Sequence, residues 1–120
     1  MFNYRQKGYY GEKLAVEYIK ERGYQLVRQN YYTRSGEIDI IAWDNKRKEL
    51  VFIEVKCRTN YSFGYPEEAV DDYKLERMFK CAEDYLRETG YRGVYRFDCL
   101  AVKLDKANNL DEVKYYENIS

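Results

Sequence analysis

The 120-residue sequence contains no histidine, which excludes Ser-His-Asp triads, Cys-His nucleophile pairs and every histidine-based metal centre. Its three cysteines, Cys57, Cys81 and Cys99, are an odd number without CxxC spacing, so packed thiols are expected rather than a disulfide framework or a zinc site. No apolar run approaches the roughly 20 residues that cross a bilayer, and the basic residues near the N-terminus have no apolar stretch behind them. That predicts a cytoplasmic chain with no membrane partner. A surplus of one charge is also missing, because 21 basic side chains balance 21 acidic ones. The balance argues against a protein that coats nucleic acid by electrostatics alone. Chemistry in such a chain must use carboxylates, lysine or hydroxyls.

What is present is an ordinary globular composition, 45% apolar and 35% charged, over a length that suits one domain spanning residues 1–120. The charge is unevenly spread: residues 1–36 carry seven basic and three acidic side chains, and the sign reverses from residue 61 onward. The fifteen tyrosines can stack on bases, although each is first of all an amphipathic core or surface residue.

Leu14, Ala15, Tyr18 and Ile19 form one helical stripe, with Gly23 as a left-handed stop, which predicts a helix ending near Arg22. The pattern turns β-like over Tyr24–Tyr32. After the polar turn Thr33–Gly36, strands are predicted at Glu37–Asp44 and Glu49–Arg58, joined by the loop Asn45–Lys48. The aperiodic segment Thr59–Pro66 follows the most charged strand end and is placed to border a site. A helix is predicted over Asp71–Thr89, its core stripe Leu75, Met78, Phe79, Ala82, Tyr85 and Leu86, with Gly90 as its stop. Strands near Gly93–Leu104 and Val113–Asn118, with Asn108 and Asn109 in the turn between them, complete an α-β-β-β-α-β-β order.

A four-residue loop at 45–48 sets Asp44 opposite Glu49, and in that register Asp39 faces Glu54 and Glu37 faces Lys56. Glu37, Asp39, Ile41 and Trp43 then share a face with Leu50, Phe52, Glu54 and Lys56, apolar at the loop end and charged at the other. The reverse faces, Ile38-Ile40-Ala42 and Val51-Ile53-Val55-Cys57, are wholly apolar, so the hairpin is expected to be buried on both sides. Opposed carboxylates on antiparallel strands have Cβ atoms about 4.5–5.5 Å apart and repel unless something positive lies between them. Hard oxygen ligands without histidine or thiolate favour Mg²⁺ or Mn²⁺, with room left for a substrate phosphate. Lys56, two residues beyond Glu54, would hold the attacking water or neutralise charge developing on the phosphate. The competing reading is an ion-pair cluster at a solvated sheet end, in which Lys56 would balance only one of three negative charges.

Gly36-Glu37-Ile38-Asp39-Ile40-Ile41-Ala42, followed by Val51-Phe52-Ile53-Glu54-Val55-Lys56-Cys57-Arg58, resembles the YraN family of small bacterial proteins within the PD-(D/E)xK nuclease superfamily. Gly8-Tyr9-Tyr10-Gly11-Glu12 with Ala15, Gly23-Tyr24, Asn30 and Phe63-Gly64 fit the same family in order and spacing. The resemblance implies an α/β fold with the restriction-endonuclease-like αβββαβ core, a central mixed sheet flanked by helices, similar to Holliday junction resolvases. It makes Asp39, Glu54 and the backbone carbonyl of Val55 metal ligands and Lys56 the catalytic lysine. It also brings Glu12 to the metal site as a further catalytic acid, although by pattern alone Glu12 is a solvated helix residue. The superfamily's Pro-Asp pair is absent, Ile38 standing before Asp39, a departure the family shares.

The expectation is therefore a Mg²⁺- or Mn²⁺-dependent endonuclease acting on DNA, branched structures among its candidate substrates, with Arg34, Arg58 and Lys74 contacting phosphates. A four-way-junction substrate would further require a two-fold homodimer. The alternatives are a non-catalytic nucleic-acid-binding or assembly protein that keeps the nuclease fold, and a metal-binding regulatory domain with no nucleic-acid partner.

Overall fold

The structure, a computed structural model, describes residues 4–58, 72–107 and 109–119, with side chains described from Tyr10 in the first helix and from Tyr73 in the second. The stripe at Leu14, Ala15, Tyr18 and Ile19 lies on helix α1 (Tyr4–Glu21), which ends where Gly23 adopts φ 94° and donates its amide to the Lys20 carbonyl. Helix α2 (Asp72–Thr89) ends in the same way at Gly90, φ 73°. Both stops use the left-handed backbone that glycine enters without a Cβ penalty. The expected helix start at Asp71, the Thr59–Pro66 segment and Asn108 lie outside the described residues. No described helix is long and apolar enough to cross a membrane.

Five strands, β1 (Tyr24–Thr33), β2 (Gly36–Asp44), β3 (Glu49–Arg58), β4 (Tyr95–Leu104) and β5 (Leu110–Tyr116), form one sheet in the order β1-β2-β3-β4-β5. All neighbours are antiparallel except β3 and β4, which are parallel, with α2 in the crossover that parallel strands require. This α/β arrangement, a five-stranded mixed sheet flanked by two helices, is consistent with the restriction-endonuclease-like αβββαβ core. The last two strands depart most from the expected bounds. β4 opens at Tyr95 rather than Gly93, because the Tyr91 ring folds over Gly93 and its hydroxyl donates to the Val94 carbonyl at 2.6 Å. β5 starts at Leu110, opposite Leu104 across a register shift, and stops at Tyr116. Beyond it, left-handed Asn118 gives its amide to Asp98 rather than to the ladder.

The β2–β3 register follows the four-residue loop, running from Asp44 opposite Glu49 to Ile40 opposite Ile53. Asp44 Oδ1 accepts the Lys46 and Arg47 amides and so closes that loop. The ladder ends at Ile40, however, so the expected Asp39/Glu54 and Glu37/Lys56 pairs are not part of it. The Val55 amide instead donates to Asp39 Oδ2 at 2.8 Å, filling the place of a main-chain partner with a side chain. A second correction concerns Ile38, which packs not with Ile40 and Ala42 but with Tyr31, Ile41 and the α2 residues Met78 and Cys81. The alternation of faces turns over between the pairs Gln29/Ile40 and Tyr31/Ile38, where Asn30 sits at φ 51°. Left-handed backbone of this kind comes more readily to asparagine than to most residues.

Both faces of the hairpin are buried, as its apolar content requires. Ala15 and Ile19 of α1 cover Ile40, Ala42, Val51, Ile53, Leu100 and Val102. Met78, Cys81, Ala82 and Tyr85 of α2 cover Ile41, Leu50, Phe52 and Phe97 on the other side. No disulfide joins the three cysteines, Cys81 and Cys99 being buried and Cys57 half-buried, in line with packed thiols.

Candidate active site

The close packing of α1 on β3 depends on Gly11. A Cβ there would lie 2.8 Å from the Cys57 Cβ, so only glycine lets the helix come this near. The next residue, Glu12, is thereby carried to the place where β2 leaves β3. Its carboxylate and those of Glu37 and Asp39 have oxygen atoms within 4.8 Å of one another. Asn30, at the turnover in β1, hydrogen-bonds the same Glu12 carboxylate. Glu12 and Asp39 are half-buried and Glu37 is exposed.

Glu54 approaches from β3 and is already matched by cations. Lys56 Nζ lies 3.0 Å from Glu54 Oε1 and Lys74 Nζ, from α2, 3.8 Å from the same oxygen. Lys56 is only 5% exposed whereas Lys74 is 49% exposed, so Lys56 is committed to Glu54 and Lys74 faces the cleft. A cavity of about 190 Å³ opens here, lined by Glu37, Asp39, Glu54, Lys74 and Arg77. The Val55 amide holds Asp39, one of the lining carboxylates, in place.

The two ends of β2 show what this grouping does to a carboxylate. At the loop end Asp44 stands opposite Glu49, and the fold inserts buried Arg96, whose Nη1 lies 3.0 Å from Asp44 and 2.7 Å from Glu49. Burial works against the charge of Asp44, yet the Arg47 amide and the Arg96 guanidinium outweigh it and hold the acid below its ordinary range. At the other end burial is reinforced by Glu54, Glu12 and Glu37, and the Val55 amide offsets only part of it. Asp39 is pushed up to about 8. Glu12 is raised as well, by burial and by Glu37. Lys56 is raised despite burial, through the Glu54 carboxylate it contacts. The Asp39 end thus has three clustered acids, none of them ion-paired to a lysine or arginine among the described residues, with Lys74 and Arg77 on the wall of the same cavity.

Residues 11–102 match the family described as "Uncharacterised protein family UPF0102". The chain belongs to the UPF0102 family. It is 36% identical to a UPF0102 protein of Caldanaerobacter subterraneus subsp. tengcongensis, covering 97% of this chain and 95% of that protein. It is 39% identical to a UPF0102 protein of Caldicellulosiruptor bescii (92% and 93% covered) and 38% identical to one of Persephonella marina (90% of each). UPF0102 is the YraN family, so the resemblance in the sequence motifs is a true membership. These names state kinship and no activity.

In this UPF0102 chain the motif residues come together unevenly. Glu12, Asp39, Glu54, Lys56 and the Val55 main chain meet at one end of the sheet, but Glu54 is ion-paired to lysines while Glu12 and Glu37 group with Asp39. Lys74 lines the same cavity. Arg58 is half-buried, donates to the neighbouring Cys57 carbonyl at 3.2 Å, and acts electrostatically on Lys56 and Lys74. Arg34 lies apart, at a second cavity beside α2. Sequence reasoning left the role of Glu37 open, although its i, i+2 spacing from Asp39 on one strand was a usable signal. Arg77 was missed, with no signal beyond its place one turn after Lys74. The buried Arg96 network had none, because Arg96 reaches Asp44 and Glu49 across two strand pairings.

Proposed function

We propose that the chain is a Mg²⁺- or Mn²⁺-dependent endonuclease that hydrolyses DNA phosphodiester bonds at the Asp39 end of the sheet. The observation that carries the reading is the contrast along β2. Where two acids meet at Asp44 and Glu49 the fold inserts Arg96 between them, whereas among the described residues no lysine or arginine forms an ion pair with Glu12, Glu37 or Asp39, and the cations Lys74 and Arg77 stand on the wall of the cavity instead. The donor set fits a hard cation, since every side-chain ligand atom in it is a carboxylate oxygen. When bound, such an ion polarises a phosphate oxygen and lowers the pKa of a coordinated water.

The protein's own residues would do the rest. The Val55 amide fixes the Asp39 rotamer, and the Gly11–Cys57 contact fixes the approach of Glu12. Lys56 keeps its proton beside Glu54 and orients that carboxylate. Lys74 and Arg77, on the open wall of the cavity, are positioned to meet the non-bridging oxygens of a phosphate.

The test is cleavage of labelled four-way-junction, flap, single-stranded and duplex DNA with Mg²⁺ or Mn²⁺. The native chain is expected to cut at least one of these, and Asp39→Ala and Lys56→Ala to lose cutting while keeping their thermal unfolding transitions. Cutting retained by Asp39→Ala rejects this site. A second reading, a DNA-binding protein without catalysis, is favoured by the burial of Lys56, whose ammonium is occupied by Glu54. Inactivity of all three chains with DNA binding retained would establish it. If four-way junctions are cut symmetrically, two sites and hence a homodimer are needed, which light scattering would reveal.

A further inference from the structure

Next to the acid-lined cavity lies a larger one, of about 340 Å³, lined by Arg34, Ser35, Tyr73, Glu76, Arg77 and Lys80. Arg77 is in the wall of both, so the two spaces are neighbours along the first turns of α2. Three cations against one acid make the second space electropositive, in contrast to the first. The one acid among its described lining residues, Glu76, is tied to Lys80 at 3.4 Å in an exposed pair that a phosphate can readily replace. The walls are held at a set separation. A Cβ at Gly36 would lie 3.0 Å from the Arg77 carbonyl oxygen, so the turn that carries Arg34 and Ser35 packs directly on the α2 backbone.

At the rim stands Tyr73, 67% exposed, with the Arg77 guanidinium 5.7 Å from its ring centroid. A large aromatic ring kept in solvent and backed by a guanidinium is the platform on which single-strand binders stack bases, and backbone-tracking cations are its usual companions. A paired and stacked base offers no free face to such a ring, so the arrangement selects an unpaired strand.

We infer that this cavity is a single-stranded nucleic-acid subsite, in which Arg34, Arg77 and Lys80 take consecutive backbone phosphates and Tyr73 stacks on an unpaired base, leading the strand toward Asp39. The inference rests on the nuclease reading for its direction, but not for its test. A substrate with an unpaired segment next to the cut is the class it specifies.

Binding is measured by fluorescence anisotropy with labelled single-stranded DNA, single-stranded RNA and duplex DNA in EDTA, so that no cutting occurs. Tyr73→Ala is expected to weaken single-strand binding about tenfold and leave duplex binding unchanged, with Tyr73→Phe close to native. Loss on the DNA strand, the RNA strand or both supports the subsite and shows which sugar it takes. Arg77→Ala should lower the log–log salt slope by about 0.7, the single-strand value per phosphate contact. Single-strand affinity unchanged by Tyr73→Ala, or an equal loss on duplex, overturns the proposal. Tyr73-dependent binding without cutting by the native chain would leave the subsite standing and remove the nuclease reading. Cutting with affinity indifferent to Tyr73 would do the reverse.

Discussion

Asp39 and Asp44 lie on one strand in opposite electrostatic surroundings, and each predicts its own response to change. Asp39 has an ordinary value of 3.8 and is raised to about 8 by burial and by its acidic neighbours. The folded chain therefore holds a proton there that the unfolded chain releases, so the stability this group contributes is complete below about 4 and is lost as pH rises through about 8. In chelator, the melting temperature of the native chain should fall between pH 5 and 9 more steeply than that of Asp39→Asn, with the variant the more stable at the alkaline end. Parallel curves would show that the acids do not repel as the geometry implies. Asp44 and fully buried Asp98 depend on Arg96, which also donates to the Tyr24 hydroxyl. Arg96→Met strands these acids, and a loss of about 3–5 kcal/mol is expected in urea unfolding, the usual effect of removing one partner of a buried pair. A loss under about 1 kcal/mol would mean that the Tyr115 hydroxyl and the Asn118 amide satisfy Asp98 by themselves.

Among the elements, the position of α1 is set by a contact with no side chain on one side of it. Gly11→Ala brings a Cβ to 2.8 Å from the Cys57 Cβ and 3.0 Å from its Sγ, so helix or strand must move. Destabilisation of about 1–3 kcal/mol is expected, the range for overpacking a well-filled contact. Under the proposed metal-dependent reading, Mg²⁺ or Mn²⁺ should raise the melting temperature of the native chain and, because the displaced helix carries Glu12, raise it less in this variant. Removing the sulfur with Cys57→Ala should recover part of the loss, and a double-mutant cycle measures how much. Strict additivity would place the strain elsewhere. At this scale β2 and β3 were well legible in the sequence. Their period-two pattern and four-residue loop predicted the observed register from Asp44/Glu49 to Ile40/Ile53. The strand ends were less so. Gly93 was bent out of β4 by a tyrosine two residues earlier, and Asn118 was drawn from β5 to a carboxylate on β4.

In the whole molecule, two apolar layers share one sheet, with Ile40 and Ile53 serving one helix and Ile41 and Phe52 the other. Neither layer can lose its sheet without exposing the other, so we propose a single cooperative domain. Near-ultraviolet signals from Trp43 and the tyrosines should then melt together with the far-ultraviolet helix signal, and two separate transitions would contradict the shared sheet. Pattern, spacing and motif in the sequence determined the α/β class, the element order, the central register, the family and the identity of the charged hairpin end. All of these follow from neighbours along the chain or from one local turn. Only the tertiary structure decided that Asp39 leaves the ladder for the Val55 amide, that Ile38 changes face at a left-handed Asn30, that Glu37 and Glu12 join Asp39 while Glu54 goes to lysines, and that Arg77 links two cavities. Each of those depends on how closely a helix can approach a strand or on the charge of a distant element, and neither distance nor field is carried by residues adjacent in sequence.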